Sequence, residues 1–214
     1  MWYNAGSIQE LRVQSERRVV TVLFCDVVGS TAIAERLDPE DWTELMNEAF
    51  ERLNGPLERY EGTVARLLGD AFLAVFGAPV AHEGDAERAV LAGLEMVRAI
   101  VPLSQRLKGE RGIDFQVRVG INTGPVIVGG VGPRASDYTA MGDAVNLAAR
   151  MEQTAQPGTV QIAEATHRLV WSRSSSSHWA WWRSRASASP SKRTGCWGPG
   201  LPAGCPARGP FARR

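Results

Sequence analysis

Residues 19–31 read VVTVLFCDVVGST. From Val19 to Phe24 the stretch is short, rich in β-branched residues and apolar but for Thr21. A half-exposed strand would alternate, so this run predicts a strand buried on both faces. The run ends at Asp26, and Gly29, Ser30 and Thr31 turn the chain. A helix is expected next, capped by Asp38 or Asp41, because Trp42, Leu45, Met46, Phe50 and Leu53 recur at helical spacing.

Outward from this strand, residues 62–76 read as a hairpin: GTVARLL, the turn pair Gly69-Asp70, then AFLAVF. Asp85 is placed to cap another helix, along which Val90, Leu94, Val97 and Val101 form an apolar stripe. FQVRVGI (115–121) alternates as a strand. TGPVIVGGVGP (123–133) reads as a Gly-rich connection holding one more short strand. Residues 142–153 suit a helix closed off by Pro157-Gly158, TVQIA (159–163) a last strand, and the stretch through His167 and Leu169 a short helix. Residues before Val19 are expected to be a helical or loosely ordered extension. The order of elements predicts an α/β chain of the α+β sandwich type, with helices packed on one mixed sheet.

Charge divides the chain in two. Up to Val170 there are 16 basic and 23 acidic residues; after it there are eight basic residues and none acidic. Five of the seven tryptophans also lie after Val170, among Ser, Arg, Pro and Gly. A stretch so poor in Leu, Ile and Val cannot build a core against the entropy of ordering it. Residues 171–214 are therefore expected to form a disordered basic tail, of the composition that a shifted reading frame gives in GC-rich coding sequence. No apolar run has the roughly 18 residues that span a bilayer. The first residues lack a signal peptide's apolar core, which makes the cytoplasm the expected compartment. The three cysteines, Cys25, Cys196 and Cys205, form neither a disulfide framework nor a zinc pattern, and Cys25 reads as a small buried thiol.

Two constellations carry chemistry. Asp26 ends a buried strand and Asp70 sits in a hairpin turn; if the strands are neighbours, both carboxylates reach one spot, as Mg²⁺ beside phosphate requires. The small residues after Asp26 leave backbone N–H groups and a hydroxyl free for phosphate oxygens. In MGDAVNLAARM (141–151), Asn146 and Arg150 are four apart and share a helix face. An amide can serve a ribose and a guanidinium fork a phosphate. Each feature alone is weak: turn aspartates and polar helix faces are common.

Together, FCDVVGST (24–31), LLGDAFLAVFG (67–77), VRVGINTGPV (117–126) and GDAVNLAAR (142–150) resemble, in order and spacing, the catalytic domain of class III adenylyl and guanylyl cyclases. The resemblance covers residues 19–170 and implies the ferredoxin-like cyclase fold with a mainly antiparallel sheet. It implies conversion of ATP to 3′,5′-cyclic AMP and pyrophosphate at sites shared between the two chains of a homodimer. On this pattern Asp26 and Asp70, helped by the carbonyl of Val27, bind two Mg²⁺ or Mn²⁺ ions. Gly29, Ser30, Thr31 and Arg118 bind phosphate, Arg66 and Thr139 read the base, Asn146 orients the ribose and Arg150 stabilises the transition state.

Two positions depart from the pattern. Adenylyl cyclases usually carry Lys where this chain has Arg66, although Thr139 fits the subgroup that pairs Lys with Thr and keeps adenine ahead of guanine. The family's final strand pair, with its V-K-G-K-like segment and phosphate-binding Lys, has no counterpart after Val170, so the domain is expected to be incomplete at its C-terminal end. These departures support a second reading, a cyclase-homology module that dimerises or binds nucleotide without turnover. A nucleic-acid-binding role for the basic, Trp-rich tail ranks last, because the tail carries no fold motif.

Overall fold

The computed structural model describes residues 16–130, 138–173, 189–191 and 194–197. The chain opens with β1 (Glu16–Val27), followed by the short helix α1 (Ser30–Ala34) and by α2 (Pro39–Arg59). Pro39 begins α2 with a fixed helical φ, and Asp38 precedes it without making a side-chain cap bond. β2 (Thr63–Leu68) and β3 (Ala71–Phe76) form the expected hairpin, with Gly69 at φ 74, a left-handed conformation that favours glycine. α3 (Asp85–Arg111) is capped by Gly84 rather than Asp85, whose carboxylate instead accepts the backbone N–H of His82. Then come β4 (Val117–Gly130), β5 (Tyr138–Met141), α4 (Asp143–Thr154), β6 (Val160–Ala163), α5 (Glu164–Arg173), β7 (Ser189–Ser191) and β8 (Thr194–Trp197).

The strands make one mixed sheet in the order β2-β3-β1-β4-β6-β8-β7, with β5 against the far end of β4. Among the described strands only the β4–β6 pairing is parallel. Alternation along the central strands sends side chains to two cores. Leu23, Cys25 and Val27 of β1 and Val117, Val119 and Ile121 of β4 join α2 and α3 in the larger one. Val20 and Val22, with Val126 and Val128, join Ala144 and Ala148 of α4 in the smaller one on the opposite face. Burying each such aliphatic side chain contributes roughly 1.5–3 kcal/mol, which is why helices cover both faces. The α+β sandwich expected from the sequence is the fold observed.

Three expectations differ from the structure. Residues 16–18 belong to β1, paired with Ile127 and its neighbours on β4, rather than to an extension. Residues 117–130 form one continuous strand rather than a strand and a connection. Pro125 lies between the β6 register at Val119–Ile121 and the β5 register at Ile127–Gly130. There, among the described residues, β4 has a neighbour only in β1, so the missing N–H costs no ladder bond on the other side. Finally, the stretch after Val170, expected to be without structure, continues α5 to Arg173 and supplies β7 and β8. β8 pairs antiparallel with β6, and β7 with β8. Backbone groups on the β6 edge accept any short extended segment, so this pairing needs no apolar alternation in the tail. The rest of residues 171–214, like residues 1–15, lies outside the described residues.

Candidate active site

Asp26 is the penultimate residue of β1. Its Cα is in register with Ala71 of β3 on one side and with Arg118 of β4 on the other. Asp70 directly precedes Ala71 in the hairpin turn. The three central strands thus bring Asp26, Asp70 and Arg118 to one end of the sheet at one level. This end is also where β1 gives way to Gly29, Ser30 and Thr31 and α1 begins. Val27 buries its side chain, which leaves only its backbone for the site. Cys25 points to the other face, and burial pushes its thiol far up, so it is a neutral core residue.

Asp26 and Asp70 are hard oxygen donors, the kind that suit Mg²⁺ or Mn²⁺. Among the described residues no group of three or more His, Cys, Asp or Glu could hold a metal ion. Two carboxylates therefore fit a cation that completes its shell with phosphate oxygens, water or a backbone carbonyl.

The remaining expected residues lie on α4, β2 and β5. Ala144, Ala148, Met151 and Glu152 form the buried stripe of α4, while Asn146 and Arg150 are exposed on its outer side. Arg66, in register with Leu73 on β2, is also exposed. Thr139 pairs through its backbone with Gly129, and its side chain lies outside the described residues. Among the described residues the side chains of Asn146 and Arg150 make no hydrogen bond or ion pair with Asp26, Asp70 or Arg118.

The structure adds a residue that sequence reasoning missed. Arg118 Nη2 donates to Asp26 Oδ2 at 3.0 Å, its Nη1 donates to the Gln153 carbonyl at 3.2 Å, and its Nε lies 2.6 Å from Glu152 Oε1. Glu152 is 6 % exposed. Its sequence signal was an acid on the Ala148–Met151–Ala155 side of α4, where only apolar residues are expected. α4 comes this close because position 120 is glycine. A Cβ there would stand 2.6 Å from Glu152 Cα and overlap the backbone around it.

Burial, reinforced by the Asp26 carboxylate and opposed by Arg118, pushes the Glu152 carboxyl from its ordinary 4.5 up to about 6. Between these values the folded chain binds a proton that the unfolded chain has released. The contribution of Glu152 to stability is therefore least favourable above about pH 6, grows as pH falls through the window, and is complete below 4.5. Compared with Glu152→Gln in the presence of a chelator, the protein is expected to gain about 2 kcal/mol in unfolding free energy between pH 7 and the bottom of that window. Urea unfolding at a series of pH values measures it. Parallel pH profiles for the two proteins would contradict the assignment.

Residues 13–179 match the family model described as the adenylate and guanylate cyclase catalytic domain. Adenylate cyclase 1 of Rhizobium meliloti is 34% identical over 137 residues, which cover 64% of this chain and 21% of that protein. The soluble guanylate cyclase subunit beta-2 of Rattus norvegicus is 33% identical over 155 residues, covering 72% of this chain and 22% of that protein. The chain thus spans about a fifth of the length of these curated relatives. The crystal structure of the adenylyl cyclase CyaB from P. aeruginosa superposes with a TM-score of 0.71 at 32% identity, covering 75% of this chain and 84% of that one. The match over most of the chain, the level of identity and the sheet that gathers Asp26, Asp70 and Arg118 agree: the chain belongs to the adenylate and guanylate cyclase catalytic domain family.

Proposed function

We propose that two copies of this chain form an adenylyl cyclase that converts ATP to 3′,5′-cyclic AMP and pyrophosphate. The observation that carries this reading is the division of the expected site. Asp26, Asp70 and Arg118 gather at one end of the sheet, while Asn146 and Arg150 stand exposed on α4 and, among the described residues, form no side-chain bond to that cluster. A two-fold dimer that joins unlike halves makes two equivalent sites.

In each site Asp26 and Asp70, with the Val27 carbonyl, would hold the divalent cations, Mg²⁺ or Mn²⁺. When bound, such cations lower the pKa of the ribose 3′-hydroxyl and offset charge on the phosphates. The 3′-oxygen bonds to the α-phosphorus, its proton leaves to solvent, and the bond from that phosphorus to the pyrophosphate oxygen breaks. Gly29, Ser30 and Thr31 offer small residues and backbone N–H groups to the phosphates, and Arg118 offers its guanidinium. From the other chain, Asn146 orients the ribose and Arg150 balances the charge that develops on the phosphorus oxygens. Fixed positioning and preorganised charge supply most of the rate. Arg66 and Thr139 would read the base, the role the family pattern assigns to these positions.

The rat guanylate cyclase relative supports a second reading in which GTP is the substrate. Both readings are tested with the purified protein, each nucleotide, and Mg²⁺ or Mn²⁺, by quantifying the cyclic product. Cyclic AMP from ATP is expected to exceed cyclic GMP from GTP by about tenfold or more, the effect of one well-placed hydrogen bond at a base edge. A reversed preference would assign guanine. No product from either would leave a nucleotide-binding or dimerising module. No described helix is long and apolar enough to cross a membrane.

A further inference from the structure

We infer that Glu152 is a positioning residue for the nucleotide site: it holds Arg118 from the α4 side, so that Asp26 does not take the guanidinium for itself. The inference rests on the reading of Arg118 as a phosphate contact.

The geometry is that of one cation shared by two acids. Arg118 has five N–H donors in a rigid fork. One on Nη2 goes to Asp26, one on Nη1 to the Gln153 carbonyl, and Nε faces Glu152. Each Nη carries a second N–H besides the one used in these contacts, which a phosphate oxygen can accept. Without Glu152, the same guanidinium would meet only Asp26 and the Gln153 carbonyl. It would then pair more fully with Asp26, turning its fork and occupying a carboxylate needed elsewhere in the site.

Nε and Oε1 are close but not aligned for a hydrogen bond, so the contact is an ion pair with freedom to adjust as a ligand draws on the other donors. The acid is also an expensive one to keep. It is buried in the stripe of α4 that otherwise packs alanine and methionine against the sheet, where an apolar residue of similar size would avoid the desolvation cost. A purely structural role for this position would favour such a residue. Glu152 therefore acts through Arg118, and its own carboxylate touches no substrate.

The test pairs Glu152→Gln with Arg118→Ala, singly and together. Affinity is measured by equilibrium binding of a 3′-deoxy nucleoside triphosphate, which lacks the attacking hydroxyl, and turnover by kcat and KM. Glu152→Gln is expected to weaken analogue binding and raise KM by about tenfold, the scale on which loss of an orienting partner acts, with a smaller change in kcat. In the Arg118→Ala background the same substitution is expected to do nothing further. A full additional loss in that background, or unchanged binding in the single variant, would overturn the proposal. A readout free of nucleotide accompanies it: the NMR resonance of the Arg118 Nε–H group, expected to shift in Glu152→Gln and to return toward its position in Glu152→Asp. An unshifted resonance would overturn the contact even if the gene product proved to bind no nucleotide. Absence of analogue binding in the unmodified chain, with the resonance shifting as expected, would instead reject the nucleotide-site reading and leave the pair intact.

Discussion

Asp26→Ala and Asn146→Ala are each expected to lower cyclic nucleotide formation by about 10³-fold as separate proteins, and to recover it when mixed. The two residues damage different halves. Asp26 lies with Asp70 and Arg118 at the end of β1, and Asn146 lies exposed on α4. In a mixed dimer, one site receives both defects and the other receives neither. Random reassortment makes half of the dimers mixed, each with one of two sites intact, so activity should return to about one quarter of the unmodified level. Mixing Asp26→Ala with Asp70→Ala is the control. Both fall in the same half, every site in every dimer then carries one defect, and no recovery is expected. Equal recovery in the two mixtures, or none in either with mixed dimers shown to form, would contradict a site assembled from two chains. Both aspartates lie at element ends, so near-unchanged circular dichroism is expected throughout.

Much of this site was readable before any coordinates. The buried run ending in Asp26 and the Gly69-Asp70 turn are local signals, and antiparallel pairing of their strands brings the carboxylates together whatever the remainder of the sheet does. Asn146 and Arg150 were readable for the same reason: i,i+4 spacing fixes a shared face without tertiary information. What was not readable depended on neighbours far along the chain. The continuity of β4 through Gly124-Pro125 requires knowing that the strand passes from β6 to β5 at that point. Glu152 has no local signal strong enough to single it out, because only the packing of α4 on Gly120 and the arrival of Arg118 from β4 make it a buried partner. The pairing of β8 with β6 was missed because an edge can be filled by backbone alone, which leaves no pattern in the side chains.

Gly120→Ala is expected to lower unfolding free energy by about 3 kcal/mol and to remove activity with it. Gly120 sits in the middle of the sheet, in register with Phe24 of β1 and Gln161 of β6. A methyl group there meets the Ala148 carbonyl and the Glu152 backbone, with Glu152 Cα at 2.6 Å. Backbone cannot rotate aside as a long side chain can, so α4 must lift away from the sheet. That helix carries Asn146 and Arg150 on its exposed side and Glu152 on its buried side, so one displacement disturbs both halves of the proposed site. The comparison is Gly109→Ala, at an exposed position within α3 where the new methyl group has nothing within 4 Å. There the gain in helix propensity should raise stability by about 0.8 kcal/mol, with activity unchanged. Thermal and urea unfolding of the two variants give opposite signs if α4 rests on β4 through the missing side chain. A Gly120→Ala protein that melts with the unmodified chain would mean that the helix stands further from the sheet. The tie between Glu152 and Arg118 would then fail with it.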